Sequence, residues 1–346
     1  SVLGAAMRLL APTNHPDEVE MLVGSGAHEL YCGVVPGQWT DRHSVAAPIN
    51  RRGSGPGNMQ TLGELRDLVD TAHRLGALVH LALNAATYNE AQVPFLCGLA
   101  AEAVDEIGID ALIVADVGLL SALMGFRPGL RVHVSSLAAV HNSQAVRFFR
   151  DLGASRVILP RQTRVDEAVA MARAVPDVEL EVFILNDGCI YEEGHCSTVH
   201  SAGPICLTDW GYSFRPVGTA GELSAADVNV MADNARAYGE WIGCHVGQAD
   251  AVTPTGVPSG PCGLCAIPAL HHGGVHSLKV IGREAPAYKK LRSVQQVRAV
   301  MDGVSDGKSA QECRALAQAI RGTPELCLSG FGCYYPEVVR VTGTTT

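Results

Sequence analysis

The chain has 346 residues, 47% of them apolar and 18% charged, with a formal net charge of −9. That length suits one (β/α)8 barrel with additions, or two smaller domains, and the apolar share can fill a sizeable core. Net acidity without a Lys/Arg-rich run argues against a dedicated nucleic-acid surface, though not against a local basic pocket. No apolar run reaches the ~18 residues of a membrane span. The opening SVLGAAMRLLAP lacks the basic stretch and long apolar run of a secretion signal. A cytoplasmic protein that does not enter membranes is expected. The eleven cysteines then predict reduced thiols, several of them metal-bound, rather than a disulfide scaffold.

Short β-rich runs alternate with helical ones. MRLLAP at 7–12 reads as the first strand, and PDEVEMLVGSG as a helix opened by Pro16. HELYCGVV at 28–35 is the second strand, and TLGELRDLVDTAHRLG a helix ending in Gly. LVHLALN at 78–84, ALIVAD at 111–116 and VHVSSL at 132–137 continue the series. NSQAVRFFRDLG is then a helix with Asn142 as its N-cap. RVILPR at 156–161 is followed by TRVDEAVAMARAV, with apolar residues at helical spacing. ELEVFILN at 179–186 is the seventh strand and VHSLKVIG at 275–282 the eighth.

Strands joined by helices of this length predict a parallel sheet, and right-handed crossovers close eight such units into a TIM-like (β/α)8 barrel. A doubly wound open sheet is the runner-up. Two stretches break the rhythm: a Gly/Pro-rich loop at 36–60 after strand 2, and a cysteine-rich insertion at 187–264 after strand 7. Both leave from C-terminal strand ends, where barrel active sites are built. The expected organisation is a barrel over 1–305 with 187–264 as a cofactor-binding insertion, then a C-terminal helix and loose tail over 306–346.

Cys97 and Cys313 in apolar helices and Cys32 in a strand read as small buried hydrophobes. Cys189, Cys196, Cys206, Cys244 and Cys262 each lie by Gly or Pro, where turns let thiolates converge. An iron–sulfur cluster is favoured over zinc for two reasons. The thiols are scattered over a long insertion, with only Cys262/Cys265 as a Cys-x-x-Cys pair. They also fall at the catalytic mouth, where a closed four-thiolate zinc would be chemically idle. Unligated thiols are the third reading. Cys327 and Cys333 form another close pair that no spacing rule assigns.

The stretch NDGCIYEEGHC, with Cys189 and Cys196, resembles the hallmark of the collagenase-like peptidase family, the thirty-second family of peptidases of unassigned type. LAPTNHPDEVEMLVGSGAHELYCG, VHVSSLAAVHNSQAVRFFRDLGASRVILPR and LCAIPALHHGGVHSLKVIGRE are similar to further family motifs, in order, over roughly residues 8–300. The resemblance implies a (β/α)8 barrel carrying a 4Fe–4S cluster on Cys189, Cys196, Cys206 and Cys265, with Cys262 and Cys244 as alternates. It also implies oxygen-independent hydroxylation, as in ubiquinone synthesis or on tRNA and ribosomal RNA, with a prephenate-like acid as oxygen source, and a heteromeric partner of the same family. Departures include Glu193-Gly194-His195 in place of SGR and Gln162 in place of a Glu.

For such chemistry, strand-end residues that can hold an anionic or peptide substrate are the candidates: Arg161, Arg283, Lys279, His133, Ser135 and Asn186, with Asn84, Asp116 and Ser136. Arg161 and Arg283 can clamp carboxylates with two parallel hydrogen bonds. Lys279 reads equally as a structural barrel lysine, and His133 more readily as a buried structural histidine. A metal-dependent peptidase is the alternative, with His195, His200, Glu192 and Glu193 as a hydrolytic set, although no GxSxG or HExxH occurs. A non-catalytic, cluster-bearing partner subunit is a third reading.

Overall fold

The computed structural model describes residues 6–44, 47–52, 55–189, 191–196, 206, 211–217, 221–246, 260–330 and 332–340. Among them eight parallel strands close into a barrel in sequence order: β1 Arg8–Pro12, β2 Glu29–Cys32, β3 Leu78–Leu83, β4 Ala111–Val114, β5 Val132–Val134, β6 Arg156–Ile158, β7 Glu179–Leu185 and β8 Ser277–Val280. Leu9 pairs with Leu278, so β8 closes on β1 and the open-sheet alternative is excluded. All eight expected strands are present. They are buried on both faces, the outer covered by helices and the inner by the barrel interior, and the polar residues among them, such as Glu29, Arg156 and Glu181, face one another inside.

The helices are α1 Val19–Gly24, α2 Gly37–His43, α3 Leu62–Arg74, α4 Val93–Glu102, α5 Val117–Phe126, α6 Ser143–Asp151, α7 Val165–Ala174, α8 Ala225–Val246, α9 Ile267–His272, α10 Ala287–Ser305, α11 Ala310–Arg321, α12 Pro324–Ser329 and α13 Pro336–Arg340. Local chemistry sets their starts. Thr61 and Glu64 form a capping box on α3, as do Ser309 and Glu312 on α11. Asn142 caps α6 through Gln144 N and Ala145 N, as its position suggested.

The barrel interior is layered. Its floor is a buried ionic network in which Arg156 bonds Glu29 at 2.7 and 2.8 Å and Glu181 at 3.0 Å. Above it lies an apolar layer of Leu10, Tyr31, Ile113, Ile158, Phe183 and Ile281. Between β7 and β8 the register shifts at Phe183/Leu185, and Asn186 and Asp187 then take positive φ of 69° and 41°. The chain thereby turns off the barrel into the long insertion.

The segment after α11 differs from the expected loose tail. Through residue 340 it forms α12 and α13, and Tyr334 and Tyr335 return to the end of β7. Tyr335 Oη donates to Phe183 O at 2.7 Å, and Tyr334 Oη donates to Asn186 O and to Asp187 O, the latter at 3.2 Å.

Candidate active site

The C-terminal end of the barrel opens into a cavity lined by Tyr31, Ile158, Phe183 and Ile281 below and by polar side chains above. Its walls carry an unusual density of cations: Arg51, Arg52, Arg161, Lys279 and Arg283. Arg283 follows β8 and is buried, only 4% exposed. Its Nη1 donates to Asn58 Oδ1 at 3.0 Å and its Nη2 to Asn50 Oδ1 at 2.9 Å, while Asn50 Nδ2 donates to the same Asn58 oxygen at 2.7 Å. The partners are neutral amides, and among the described residues no carboxylate pairs with this guanidinium. Burial pulls its pKa down to about 10, so it stays charged at neutral pH. Gly33 at the end of β2 makes this placement sterically feasible: a Cβ there would lie 1.9 Å from Arg283 Nη1 and 2.1 Å from Asn58 Oδ1.

Arg161, just after β6, is ion-paired with Glu193. Its Nε donates to Asp187 O at 2.9 Å, and its guanidinium lies 4.1 Å over the Phe183 ring. Burial opposes its charge, but Glu193 keeps it firmly protonated. Arg52 reaches Asp187 at 3.2 Å and Glu284 at 3.3 Å. Lys279 Nζ meets Glu181 at 3.0 Å and stands 4.3 Å from the Tyr31 ring centre. It therefore belongs both to the floor network and to the cavity wall. Burial lowers its pKa, and Glu181 opposes that shift. Ser135 Oγ accepts from Asn84 Nδ2 at 3.1 Å, and both line the cavity with Ser136.

The other candidates lie elsewhere. His133 is fully buried at the floor beside His80, their ring centres 4.5 Å apart, and neither of its ring nitrogens has a hydrogen-bond partner. It thus lies at the floor, below the cavity rather than in its wall. Asn186 lies just off the cavity, its Nδ2 donating to Ser293 Oγ at 2.8 Å. Asp116 caps α5 by accepting from Leu119 N at 2.7 Å. Sequence reasoning missed Tyr31, Arg51, Arg52 and Phe183. The Asn50-Arg51-Arg52 run inside a Gly/Pro-rich loop was the available signal for the two arginines.

The thiols fall into two neighbourhoods. Cys189 lies by Arg161: burial raises its pKa, Arg161 lowers it, and Glu193 and Cys206 raise it further. Cys265 instead feels Cys262, Cys333 and Cys327 most strongly, on top of burial. Cys196 is half-buried on the 3-10 turn Glu193–His195 that Glu192 caps. Cys244 falls within α8. His200 lies outside the described residues. Within that frame, no three His, Cys, Asp or Glu side chains already stand in metal-ligating geometry. No helix is long and apolar enough to cross a membrane, again among the described residues.

A closed (β/α)8 barrel whose open end gathers four arginines and a lysine defines a barrel protein with its candidate site at the C-terminal strand ends. Residues 14–340 match Peptidase family U32, and the chain belongs to that family. The chain is 26% identical over 269 residues to tRNA hydroxylation protein P of Escherichia coli K12, covering 69% of this chain and 58% of that protein. It is 26% identical over 198 residues to the 23S rRNA 5-hydroxycytidine C2501 synthase of the same organism, covering 56% of this chain and 27% of the relative. It thus spans well under two thirds of the length of either relative. Among solved structures, the U32 peptidase Mk0906 aligns at 19% identity with a TM-score of 0.42, over 55% of this chain and 76% of the other.

Proposed function

We propose that this chain is the barrel of an oxygen-independent hydroxylase that carries an iron–sulfur cluster and modifies an RNA base, with a small carboxylic acid bound in the mouth. The observation that carries the reading is Arg283: a buried cation at the cavity wall, held by two amides and no carboxylate among the described residues. A buried guanidinium without a fixed counter-ion suits an anionic ligand. Arg161 and Lys279 extend the positive field, and the apolar layer of Tyr31, Ile158, Phe183 and Ile281 gives an aromatic or aliphatic body somewhere to rest.

The thiols fit the cluster chemically. Cys189 lies at the mouth beside Arg161, which favours its thiolate, and Cys206 is near it. With Cys196 they form the donor set on the long insertion. A bound cluster would supply one-electron transfer and an iron open to an oxygen-bearing group. The chain's own residues do the rest. Arg283 and Arg161 orient the acid, Asn84 and Ser135 offer polar contacts, and the apolar layer excludes water from below. The RNA assignment rests on the RNA hydroxylation for which the two Escherichia coli relatives are named, and the cationic mouth is the local basic pocket that a chain of net charge −9 needs.

For the metal-dependent hydrolytic alternative, Glu192 already meets His141 Nε2 at 2.8 Å and Glu193 pairs with Arg161, so both carboxylates of that set are engaged. The test is anaerobic reconstitution with iron and sulfide, followed by iron and sulfide analysis of the wild-type chain and of Cys189→Ser. Incorporation lost in the variant, together with hydroxylation of a tRNA transcript without oxygen, supports the reading. A wild-type chain that takes up no iron–sulfur cluster sinks it.

A further inference from the structure

Three exposed aromatic side chains of the insertion after β7 form one patch. Tyr191 and Tyr238 are hydrogen-bonded through their hydroxyls. The Tyr238 and Trp241 ring centres lie 6.1 Å apart, with planes inclined at 35°. Tyr191, Tyr238 and Trp241 are 40%, 44% and 48% exposed. The two phenol groups are engaged with each other, so the patch offers ring faces rather than polar tips. Contiguous apolar surface of this kind marks a place where something binds.

The patch is built onto the rim of the candidate site. Gln162, the residue after Arg161, donates from Nε2 to Tyr191 O at 2.8 Å and to Cys189 O at 3.3 Å. The backbone that carries Tyr191 is therefore fixed to the strand end that carries the Arg161 guanidinium. Helix α8 brings the other two rings. Of its described side chains only Ile242 is buried, so its aromatic face is not consumed by packing on the barrel. Met231, Asn234, Tyr238 and Trp241 recur along it at intervals of three and four and share that face. Asp233 and Glu240 fall on the opposite face, where Asp233 is paired with Arg236 at 2.8 Å. Asp227 lies about three turns from Tyr238, at the helix start, where it accepts from Ser224 Oγ at 2.6 Å. The ground next to the rings is thus clear of carboxylates on this helix, while the adjoining mouth carries Arg51, Arg52 and Arg161.

We infer that Tyr191, Tyr238 and Trp241 form a stacking platform for the bases of a single-stranded RNA segment whose target base enters the mouth. The inference rests on the hydroxylase reading, in which the substrate is RNA. Aromatic faces beside a cationic groove are the combination that binds single strands: bases stack on the rings and phosphates follow the positive field. A base that enters a cavity must leave its own stack. A platform at the rim receives the flanking bases that lose a neighbour when it does so. A second copy of the chain could also cover apolar rings, but it would not need them next to the arginines; the continuity of rings and cations favours the nucleic acid.

The test titrates the full chain with a single-stranded RNA of about 12 nucleotides, and with an abasic ribose-phosphate strand of the same length. Tyr238→Ala and Trp241→Ala should each weaken RNA binding by about 10-fold. Trp241→Phe, which keeps a ring, should retain most of the affinity. Binding of the abasic strand should be the same in all forms, a result that general damage to the fold would not give. Wild-type binding of RNA that is unchanged in the Tyr238→Ala/Trp241→Ala double variant overturns the platform and leaves the hydroxylase reading standing. A wild-type chain that binds no RNA overturns both. A dimer lost in the double variant while RNA affinity stays constant assigns the patch to a second copy of the chain and overturns the inference.

Discussion

Arg161 and Glu193 are ion-paired at the open end of the barrel, tying the residue after β6 to the turn that precedes Cys196. Each side chain is only 11% exposed, so neither charge is well solvated. In Glu193→Gln the guanidinium loses its counter-charge and is left in a largely dry wall. Stability is expected to fall by about 3 kcal/mol, read from urea unfolding. The freed cation should at the same time bind an aromatic dicarboxylate about 10-fold more tightly, read by calorimetric titration. Opposite changes in stability and affinity are the signature of a cation released into the mouth; a parallel loss of both would mean that Glu193 only holds the fold.

Arg283 is positioned by geometry as much as by charge. Arg283→Lys keeps the cation but cannot bond Asn50 and Asn58 together, so dicarboxylate affinity should drop by about 10-fold or more. Gly33→Ala gives an independent check, because it leaves every charge in place and drives a methyl group into Arg283 Nη1 and Asn58 Oδ1. It should cost about 1–3 kcal/mol and weaken the same ligand. Unchanged binding in Gly33→Ala would show that the exact seat of Arg283 is irrelevant to the anion.

Lys279 links two layers of the barrel. Lys279→Met leaves Glu181 with Arg156 alone at 3.0 Å and removes the cation over the Tyr31 ring. The expected loss is about 2–3 kcal/mol of stability, below that of a wholly unpaired buried carboxylate because Arg156 remains. Thermal unfolding of the variant measures it. A neutral result would mean that Arg156 alone satisfies Glu181.

The barrel was legible because its strands are short, β-rich, mostly apolar runs alternating with helical segments that carry their own start and stop signals. RVILPR ends in Arg161, VHSLKVIG contains Lys279 and is followed by Arg283, and all three line the cavity at the open end. What stayed illegible is what the tertiary fold alone decides. The helix Gly37–His43 hides in a loop that reads as Gly/Pro-rich, and Ala225–Val246 hides in an insertion read only for its thiols. Arg51 and Arg52 reach the mouth because Asn50 and Asn58 are pinned by Arg283, a contact spanning 233 positions for Asn50. The grouping of Cys265 with Cys327 and Cys333 depends on a β-bridge between the ends of two distant segments. No local spacing encodes that bridge.

The floor histidines make the fold acid-sensitive in a defined window. His80 is buried, and burial together with Arg156 lowers its pKa from 6.5 to about 4 despite Glu29 nearby. His133 is displaced in the same direction by burial, Arg156 and His80. A histidine with a depressed folded pKa binds its proton more readily in the unfolded chain. Stability is therefore fully present above pH 6.5 and is lost as the pH falls from there towards 4, by on the order of 3 kcal/mol for His80 alone. Glu29 acts in a different range. Burial opposes its charge, yet Arg156 holds its pKa well below 4.5, so its contribution begins to fade only below that value. Urea midpoints at pH 7.5 and pH 5 isolate the histidines. His133→Phe removes two unpartnered nitrogens and keeps a ring against His80, so stability at pH 7.5 should change by less than about 1 kcal/mol. The drop between pH 7.5 and pH 5 should shrink, and an undiminished drop would locate the acid-sensitive group elsewhere in the barrel.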